Sequence, residues 1–247
     1  MSAIAGLDRA IQFLNESNRI EGIQEIDYRH PYYQNPTKGH FGAYVLSQEA
    51  AAQHQPLSVK MLRTWQGLLG REQQERTGDH IDDTEIGHIR GPPLQKNVRI
   101  GNHIPPSYER VPTLFQFLIE DLNEDLAANH AKYRDNDEAF ANFACSYFLR
   151  FERLHPFGDG NGRMGRLIAN YISSYCGRPN LVFPSEYSMR NRYIEAHDSE
   201  GDMTNYFLKR MQEAQPPARQ EAESSVHATS EDQEKQEATE KKRKIAQ

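Results

Sequence analysis

Residues 155–166 bring together the residue types that bind phosphate groups. Gly160 and Gly162 permit positive φ angles and a close backbone approach, so successive N–H groups can surround an anion where the next helix begins. Arg163 and Arg166 lie three positions apart at the start of that helix, which places both guanidinium groups on one face. Two such groups are suited to holding a polyphosphate.

The same stretch also offers a proton acceptor and an oxygen ligand. His155 stands at the beginning of the loop, and imidazole groups ordinarily titrate near neutral pH. Asp159 supplies a hard carboxylate oxygen, which suits the Mg²⁺ that accompanies a nucleoside triphosphate. These residues favour nucleotide chemistry with His155 as the general base.

Residues 160–165 also satisfy the G-x-G-x-x-G pattern of dinucleotide-binding folds. In those folds the pattern follows a β-strand within a βαβ unit. Here the apolar residues that precede it, from Phe143 to Leu154, recur with helical spacing. This context argues against a dinucleotide site.

The stretch HPFGDGNGRMGR at residues 155–166 resembles the Fic family signature H-x-F-x-[D/E]-G-N-G-R-x-x-R at every constrained position. The resemblance extends over roughly residues 7–212, since helical patterns lie on both sides of the motif and a flap-like segment precedes it. It implies a mainly α fold, namely a Fic-type helical bundle with a small β-hairpin flap.

The resemblance also implies a reaction and a role for each motif residue. In enzymes of this family the histidine that matches His155 deprotonates a Ser, Thr or Tyr hydroxyl of a target protein. That hydroxyl attacks the α-phosphorus of the co-substrate ATP and expels pyrophosphate. By the same resemblance Asp159 is the Mg²⁺ ligand and Phe157 anchors the loop. The ATP-binding residues carried over are Gly160, Asn161 and Gly162 for the α- and β-phosphates, Arg163 for the β-phosphate side, and Arg166 for the γ-phosphate.

Two further assignments come from the resemblance. Residues 88–106, here called the flap, contain Val98, Arg99 and Ile100, which would dock a target segment through main-chain hydrogen bonds. Tyr193 matches a position at which the family often has an aromatic residue near the adenine. A core tyrosine is an equally good interpretation of Tyr193 from the sequence.

The N-terminal segment contains a predicted regulatory element. Apolar spacing predicts a helix from Leu7 to Glu21 that stops at Gly22, a residue suited to the position after a helix end. A glutamate in the last turn faces the negative end of the helix dipole and calls for a compensating cation. Residues 17–22 resemble the family's inhibitory pattern [S/T]-x-x-x-E-[G/N], which implies that Ser17 and Glu21 are regulatory and that Glu21 pairs with Arg166.

The elements that position these residues are mostly helical. We divide the chain into an N-terminal inhibitory helix with its linker (1–30), a Fic catalytic domain (31–214) and a disordered charged tail (215–247). The broken segment from His88 to Pro106 is predicted to form the hairpin flap. Helices are predicted from apolar spacing at Leu7, Ile11 and Leu14; Val59, Leu62, Trp65 and Leu69; Leu114, Leu118, Leu122 and Leu126; Phe140 to Leu154; Met164 to Tyr175; and Tyr206 to Met211.

Composition limits the partners and the compartment. The chain has 29 Lys and Arg against 35 Asp and Glu, so its net charge of −6 argues against direct nucleic-acid binding. The sequence shows no apolar run of membrane-spanning length and no signal-peptide pattern at its start, so a cytoplasmic location without membrane contact is expected. Cys145 and Cys176 fit buried thiols. If the chain is a bacterial effector, the run from Lys241 to Lys244 is compatible with the host cytosol or nucleus.

Several alternatives stay open at this point. The same residues could remove AMP from a modified protein, with Glu21 orienting a water molecule, or could transfer another nucleotide such as UMP. A non-catalytic nucleotide-binding scaffold is a further alternative. The expected partner is a target protein with an exposed Ser, Thr or Tyr hydroxyl, and homodimer formation is left open.

Overall fold

A computed structural model describes residues 3–23, 26–76, 81–92 and 94–214. Over these ranges the secondary structure is α-helical apart from turns and two isolated β-bridges. None of the described helices combines the length and the apolar character needed to cross a membrane. The helices are Ala3–Ile20 (α1), Gly39–Ala52 (α2), Val59–Arg76 (α3), Val111–Asp135 (α4), Asp137–Leu154 (α5), Asn161–Tyr175 (α6), Tyr187–Ala196 (α7) and Glu200–Ala214 (α8).

Helices α5 and α6 form the centre of the bundle. Helix α5 packs against α4, α6 and α8, while α6 also packs against α2, which in turn packs against α3. Helix α6 buries residues around almost its whole circumference, including Arg163, Arg166 and Tyr171. The chain between α5 and α6 contains the motif described above, so the motif is anchored by the two most central helices.

Helix α1 ends as the sequence predicts, although its last helical residue is Ile20 rather than Glu21. Gly22 adopts a φ of 73°. The N–H of Ile23 donates to the Asn18 carbonyl at 3.0 Å and the N–H of Gly22 donates to the Arg19 carbonyl at 3.0 Å, which is the Schellman arrangement. Glu21 is therefore the C-cap residue of α1, and its side chain reaches Arg166 on α6.

Helices α2 and α7 are absent from the prediction. Helix α2 buries Phe41 and Tyr44 but also Gly39, His40 and Ser47, so it has no apolar stripe with a polar opposite face. Helix α2 is covered by α1, α3 and α6 on several sides, so its buried residues do not recur with the helical period. The spacing of apolar residues therefore cannot reveal it.

The flap differs from the predicted hairpin. Within the described part of residues 88–106, pairing is limited to one bridge between Ile100 and His103 and one between Ile89 and Phe157. Ile100 and His103 exchange two backbone hydrogen bonds of 3.0 and 2.8 Å around a turn in which Gly101 has a φ of 55°. The hairpin is thus a single closed turn, and no ladder extends from it.

Two smaller predictions have different outcomes. Cys145 and Cys176 are buried free thiols, as predicted, and burial raises their pKa values to about 11 and 12. The tail at residues 215–247, with its basic run, lies outside the described residues.

Candidate functional site

The loop between α5 and α6 is shaped by two residues with positive φ angles. His155 is the C-cap of α5 with a φ of 50°, and Gly160 is the N-cap of α6 with a φ of 77°. Asn161 closes the loop, because its amide accepts from the Phe157 N–H and donates to the Phe157 carbonyl, both at 3.0 Å. Phe157 is fully buried against Phe115 and Phe151. One N–H of the Asn161 amide remains for a phosphate, so its phosphate contact stays a prediction.

The N-terminus of α6 has the properties of an anion site. No side chain caps it, and the first intrahelical bond of this turn runs from the Met164 N–H to the Gly160 carbonyl at 3.0 Å. The preceding N–H groups at residues 161–163 have no acceptor within the helix, which leaves positive partial charge at this end. A negatively charged group therefore gains from lying here.

Arg166 lies fully buried behind this helix end, and polar groups surround its guanidinium. Its Nη2 donates to Glu21 Oε1 at 2.6 Å and to the Ser17 carbonyl at 2.9 Å. Its Nε donates to Ser17 Oγ at 3.0 Å and its Nη1 to the Tyr193 hydroxyl at 3.2 Å. Burial alone lowers the pKa of Arg166, but the neighbouring Tyr193 and Glu21 outweigh burial and the net shift is upward.

Glu21 brings a carboxylate of the chain itself to the anion site. Its side chain is 35% exposed while that of Arg166 is 0% exposed. Burial disfavours the charged carboxylate, yet Arg166 more than compensates and holds the pKa of Glu21 below its ordinary value. A Cβ atom at Gly162 would collide with Glu21 Oε1, so the absence of a side chain at residue 162 is what allows this approach.

Other polar contacts fix α1 in this position. The Asn18 amide donates to the Tyr28 hydroxyl at 2.9 Å, and that hydroxyl donates to Glu72 Oε1 at 2.8 Å. The other side of the amide, Oδ1, lies 3.0 Å from Nδ1 of the buried His40. The Ile20 carbonyl at the end of α1 accepts from Arg190 Nε at 3.1 Å. The Glu21 carboxylate is therefore held by a helix that is anchored along its last turn.

Arg163 and Asp159 are joined through helix α3. Gln73 accepts a hydrogen bond from Arg163 Nη2 through its Oε1 and donates to Asp159 Oδ2 at 3.1 Å through its Nε2. Gln66, on the same face of α3, donates to the Asp159 carbonyl at 3.2 Å. The second carboxylate oxygen of Asp159 accepts from the Gly160 N–H at 2.5 Å. Helix α3 thus orients the predicted metal ligand and the predicted β-phosphate arginine together.

His155 is held in an environment that keeps its imidazole neutral. Burial, together with the positive charge of Arg90, lowers the pKa of His155 to about 4. A neutral imidazole at physiological pH has a lone pair available for a proton. Because triphosphate oxygens would add negative charge nearby, a bound nucleotide should raise this pKa and strengthen the base.

A cavity of about 680 Å³ connects several predicted residues. Its lining includes Glu21, His155, Gly162, Arg166, Tyr193 and Ile100. Asp159, Gly160, Asn161, Arg163, Ser17, Val98 and Arg99 lie outside the lining, although Ser17 contacts Arg166 directly. The structure therefore brings the predicted base, inhibitor and γ-phosphate arginine to one cavity, with the flap at its edge.

Tyr193 combines both sequence interpretations. It is 4% exposed and packs near Phe148 and Phe183 in the core. Its hydroxyl nevertheless contacts Arg166, and its ring lines the cavity. An adenine contact by Tyr193 stays a prediction.

The predicted docking residues are accessible. Ile100 is 40% exposed, Arg99 is exposed and Val98 is partly buried. The Arg99 side chain is bound locally, since its Nε donates to the Gly101 carbonyl at 2.9 Å. Residues 98–99 belong to no helix or bridge, and target docking through their backbone stays a prediction.

Glu152 is a site residue that the sequence reasoning missed. It lines the cavity one turn before His155, and its Oε1 is buried with no hydrogen-bond partner in the described part of the chain. Burial raises its pKa to about 8. A Cβ atom at Gly165 would collide with the same oxygen. Residues 148–154 contain three charged side chains, namely Arg150, Glu152 and Arg153, so the sequence alone does not distinguish Glu152 from its charged neighbours.

Arg90, Gln66 and Gln73 were also missed. Each contacts the motif loop from a segment at least 65 positions earlier in the chain. Neither local spacing nor residue type distinguishes them from ordinary polar residues, because only the tertiary packing of α3 and the flap brings them to the loop.

The donor set tests the prediction of Mg²⁺. Over the described residues no group of three or more His, Cys, Asp or Glu side chains could surround a metal ion. Mg²⁺ is ordinarily held by one or two carboxylates together with substrate phosphates and water. Asp159 is partly exposed and supplies one such carboxylate, so the residues present fit an ion that arrives with a nucleotide.

Comparisons with known proteins agree on one family. Residues 56–173 match the Fic/DOC family. The "Protein adenylyltransferase Fic" of Drosophila mojavensis is 28% identical over 147 residues, which are 60% of this chain and 26% of that protein. Its counterpart from Drosophila erecta is 29% identical over 133 residues, or 53% of this chain and 24% of that protein. The chain therefore spans about a quarter of the length of these curated relatives.

Solved structures show the same fold. A Fic-domain-containing signaling protein from Bacteroides thetaiotaomicron superimposes with a TM-score of 0.59 at 18% identity, covering 83% of this chain and 84% of that one. Fic-1 from C. elegans gives a TM-score of 0.56 at 19% identity, covering 93% of this chain and 68% of that one. These similarities confirm the predicted mainly α, Fic-type bundle.

Proposed function

The chain is a Fic family protein, and from this premise we propose that it transfers AMP from ATP to a Ser, Thr or Tyr hydroxyl of a protein. In this proposal His155 is the general base and Glu21 inhibits the reaction. The observation that carries the proposal is the 2.6 Å ion pair between Glu21 and Arg166 in the cavity that His155 lines.

The transfer step needs one proton acceptor and one leaving group. The neutral His155 imidazole takes the proton of the target hydroxyl as its oxygen forms a bond to the α-phosphorus. The bond from the α-phosphorus to the oxygen that bridges it to the β-phosphorus breaks, and that oxygen leaves with pyrophosphate. The N-terminus of α6 and Arg163 offset the negative charge that accumulates on the departing phosphates.

Asp159 is the residue that would hold Mg²⁺. When bound with ATP, that ion would neutralise phosphate charge. Gln73 and the Gly160 N–H orient the carboxylate of Asp159, which supports a fixed ligand direction at the start of α6.

Inhibition follows from competition for Arg166. The γ-phosphate of ATP is expected to bind Arg166, but the Glu21 carboxylate already accepts a hydrogen bond from its Nη2. Two anions within bonding distance of one guanidinium repel each other, so ATP must displace Glu21 or bind without its γ-phosphate contact. We therefore infer that the wild-type chain is largely self-inhibited.

A labelling experiment tests this proposal. Wild-type, Glu21→Gly and Glu21→Gly/His155→Ala proteins are incubated with α-labelled ATP, Mg²⁺ and a cell lysate. Label on protein bands is expected with Glu21→Gly, little label with the wild type, and none with the double variant. Equal labelling by Glu21→Gly and the double variant would contradict the role of His155, and absence of label in all lanes would contradict AMP transfer.

AMP removal is a second candidate because Glu21 lines the same cavity as His155. A carboxylate in that position could orient a water molecule and take up its proton as the water oxygen bonds to the phosphorus of an AMP ester. The bond to the protein oxygen then breaks, and that oxygen receives the proton that water gave up, which His155 can pass on. Incubating AMP-modified protein with the wild type and with Glu21→Gly separates the two candidates. Removal of AMP that depends on Glu21 would favour this second activity.

A further inference from the structure

Arg90 is a fully buried arginine whose guanidinium is bonded to main-chain carbonyls. Its Nε donates to the His155 carbonyl at 2.7 Å and its Nη2 to the Leu154 carbonyl at 3.0 Å. Its Nη1 donates to the carbonyls of Lys96 at 3.3 Å and Pro106 at 3.2 Å. None of the salt bridges formed among the described residues includes Arg90.

The acceptors on one side of Arg90 are the end of helix α5. The backbone N–H of Arg90 donates to the Pro156 carbonyl at 2.7 Å, so residues 154, 155 and 156 all give their carbonyls to Arg90. Carbonyls at a helix C-terminus carry partial negative charge and have no partner within the helix. The positive charge of Arg90 is compensated by this helix end.

The residue at the centre of this contact is strained. His155 has a φ of 50°, a left-handed conformation that costs a non-glycine residue free energy and persists only when its surroundings impose it. The carbonyls of Leu154 and His155 belong to the two peptide planes that set φ and ψ of His155, and Arg90 donates hydrogen bonds to both. The backbone N–H of Arg90 also binds the next carbonyl, that of Pro156. The direction of the imidazole follows from those planes.

The acceptors on the other side of Arg90 belong to the flap. Lys96 and Pro106 lie on either side of residues 98–100, and Nη1 of Arg90 donates to both of their carbonyls. His103 of the flap adds a contact to the same turn of α5, since its Nε2 lies 2.8 Å from the Arg153 carbonyl. One guanidinium therefore joins the chain on both sides of residues 98–100 to the backbone of His155.

We propose that Arg90 is a positioning residue, which holds His155 in its left-handed conformation and sets the distance between the imidazole and a target segment docked on the flap. This inference rests on the proposed AMP transfer. It assigns to a buried residue outside the motif the alignment of base and target.

The charge of Arg90 has a second consequence for His155. Burial is the main reason that the pKa of His155 is low, and Arg90 and His103 lower it further, while Asp159 raises it. Glu21, Glu152, Arg153 and Arg166 line the same cavity and are unchanged by a substitution at residue 90. Removing the charge of Arg90 should therefore raise the pKa of His155, whereas a change that keeps the charge should not.

Two substitutions in the Glu21→Gly protein separate geometry from charge. Arg90→Lys keeps the charge but cannot reach carbonyls on both sides. Arg90→Met removes the charge as well as the hydrogen bonds. Because misplacement of a catalytic group by about 1 Å can cost about 100-fold, we expect kcat to fall about 10- to 100-fold in both variants, with the KM for ATP within about threefold. The acid limb of the pH–rate profile should move upward by about one pH unit in Arg90→Met alone.

Arg63→Met changes an exposed arginine that also donates to a carbonyl, that of Gly87 at 2.8 Å, and should leave kcat unchanged. ADP affinity and thermal unfolding show whether each variant is folded. If Arg90→Met does not fold, the comparison of Arg90→Lys with its parent tests the proposal. The proposal would be overturned if kcat of Arg90→Lys stayed within twofold of the parent. It would also be overturned if kcat and ADP affinity fell equally while the pH profile did not move.

A measurement without turnover keeps this test independent of the proposed function. NMR titration of the His155 imidazole in the substrate-free protein should give a higher pKa in Arg90→Met than in Arg90→Lys or the Arg63→Met control. If Glu21→Gly transfers no AMP but this difference is present, the proposed function fails and the contact of Arg90 with His155 stands. If the pKa does not differ among the variants, the electrostatic part of the inference fails.

Discussion

Arg163 and Arg166 lie three positions apart on α6, and both are buried, with 2% and 0% of their surface exposed. Their partners differ. Arg166 contacts a carboxylate, a hydroxyl and a carbonyl from α1, whereas Nη2 of Arg163 contacts the neutral amide of Gln73. In the described part of the chain Nε of Arg163 is buried without a hydrogen-bond partner.

The difference shows in the proton affinity of the two side chains. Burial lowers the pKa of Arg163, and the nearby carboxylates of Asp159 and Glu21 compensate only in part. For Arg166, the groups around it outweigh burial and raise its pKa. A buried charge without an ion-pair partner is costly, so Arg163 is stabilised least in the absence of an anion. This comparison suggests that the chain's own carboxylate substitutes for a phosphate at one arginine and leaves the other for the nucleotide.

The first expected effect is on nucleotide selectivity. In the Glu21→Gly protein, Arg163→Met should weaken the binding of both ATP and ADP by roughly 30-fold or more. This factor is the lower end of the range measured when one partner of a buried charge pair is removed. Arg166→Met should weaken ATP by a similar factor but leave ADP within about twofold, because ADP has no γ-phosphate. Calorimetric titration with both nucleotides measures this, and equal losses for ADP in the two variants would contradict separate phosphate positions.

A second effect is expected on the free energy of unfolding in the absence of nucleotide. In the otherwise wild-type chain, Arg166→Met leaves Ser17 and Glu21 without their partner and should cost about 3 kcal/mol. Arg163→Met removes a charge that forms no ion pair with any of the described residues, and it should change the free energy of unfolding by less than about 1 kcal/mol. Urea unfolding measures both values. A larger loss for Arg163→Met than for Arg166→Met would reverse the comparison.

A third effect depends on pH and concerns Glu152, a second carboxyl that Arg166 and Glu21 influence. Its folded pKa of about 8 lies above that of an ordinary unfolded glutamate, so its stabilising contribution is complete below pH ~4.5 and is lost as the pH rises through about 8. Between pH 4.5 and pH 9 the stability of Glu152→Gln should therefore rise by up to about 5 kcal/mol relative to that of the wild type.

Urea unfolding of both proteins across this pH range measures that gain. Glu138→Gln changes an exposed glutamate on the same helix and serves as the control. A stability difference between Glu152→Gln and the wild type that does not vary with pH would show that Glu152 is charged throughout the range.

The sequence predicts the residues of the loop better than the residues that hold it. The end of α1 at Gly22 and the helix after Gly160 follow from local rules of chain geometry. Helix α2 could not be predicted, because it is buried on several sides and has no polar face. The hairpin predicted for the flap is reduced to one bridge between Ile100 and His103, while Ile89 pairs with Phe157 of the motif instead.

The contacts of Arg90 and Gln73 illustrate what single-sequence reasoning cannot reach. Both residues bond to the loop across long separations in the chain, 65 positions for Arg90 Nε to the His155 carbonyl and 86 for Gln73 Nε2 to Asp159 Oδ2. Such contacts depend on how α3 and the flap pack on α5 and α6. No periodic pattern encodes them, whereas the residues predicted to bind phosphate are close together in the chain and visible as a motif.

The central claim is that Glu21 occupies the position of the γ-phosphate, and paired affinities for ATP and ADP test it most directly. An α,β-methylene analogue of ATP avoids turnover, ADP lacks the competing group, and Glu16→Gln on the same helix serves as the control. We predict that Glu21→Gly binds the ATP analogue at least about tenfold more tightly than the wild type, while ADP binds both proteins equally. Equal affinity of the wild type and Glu21→Gly for the ATP analogue would contradict the claim.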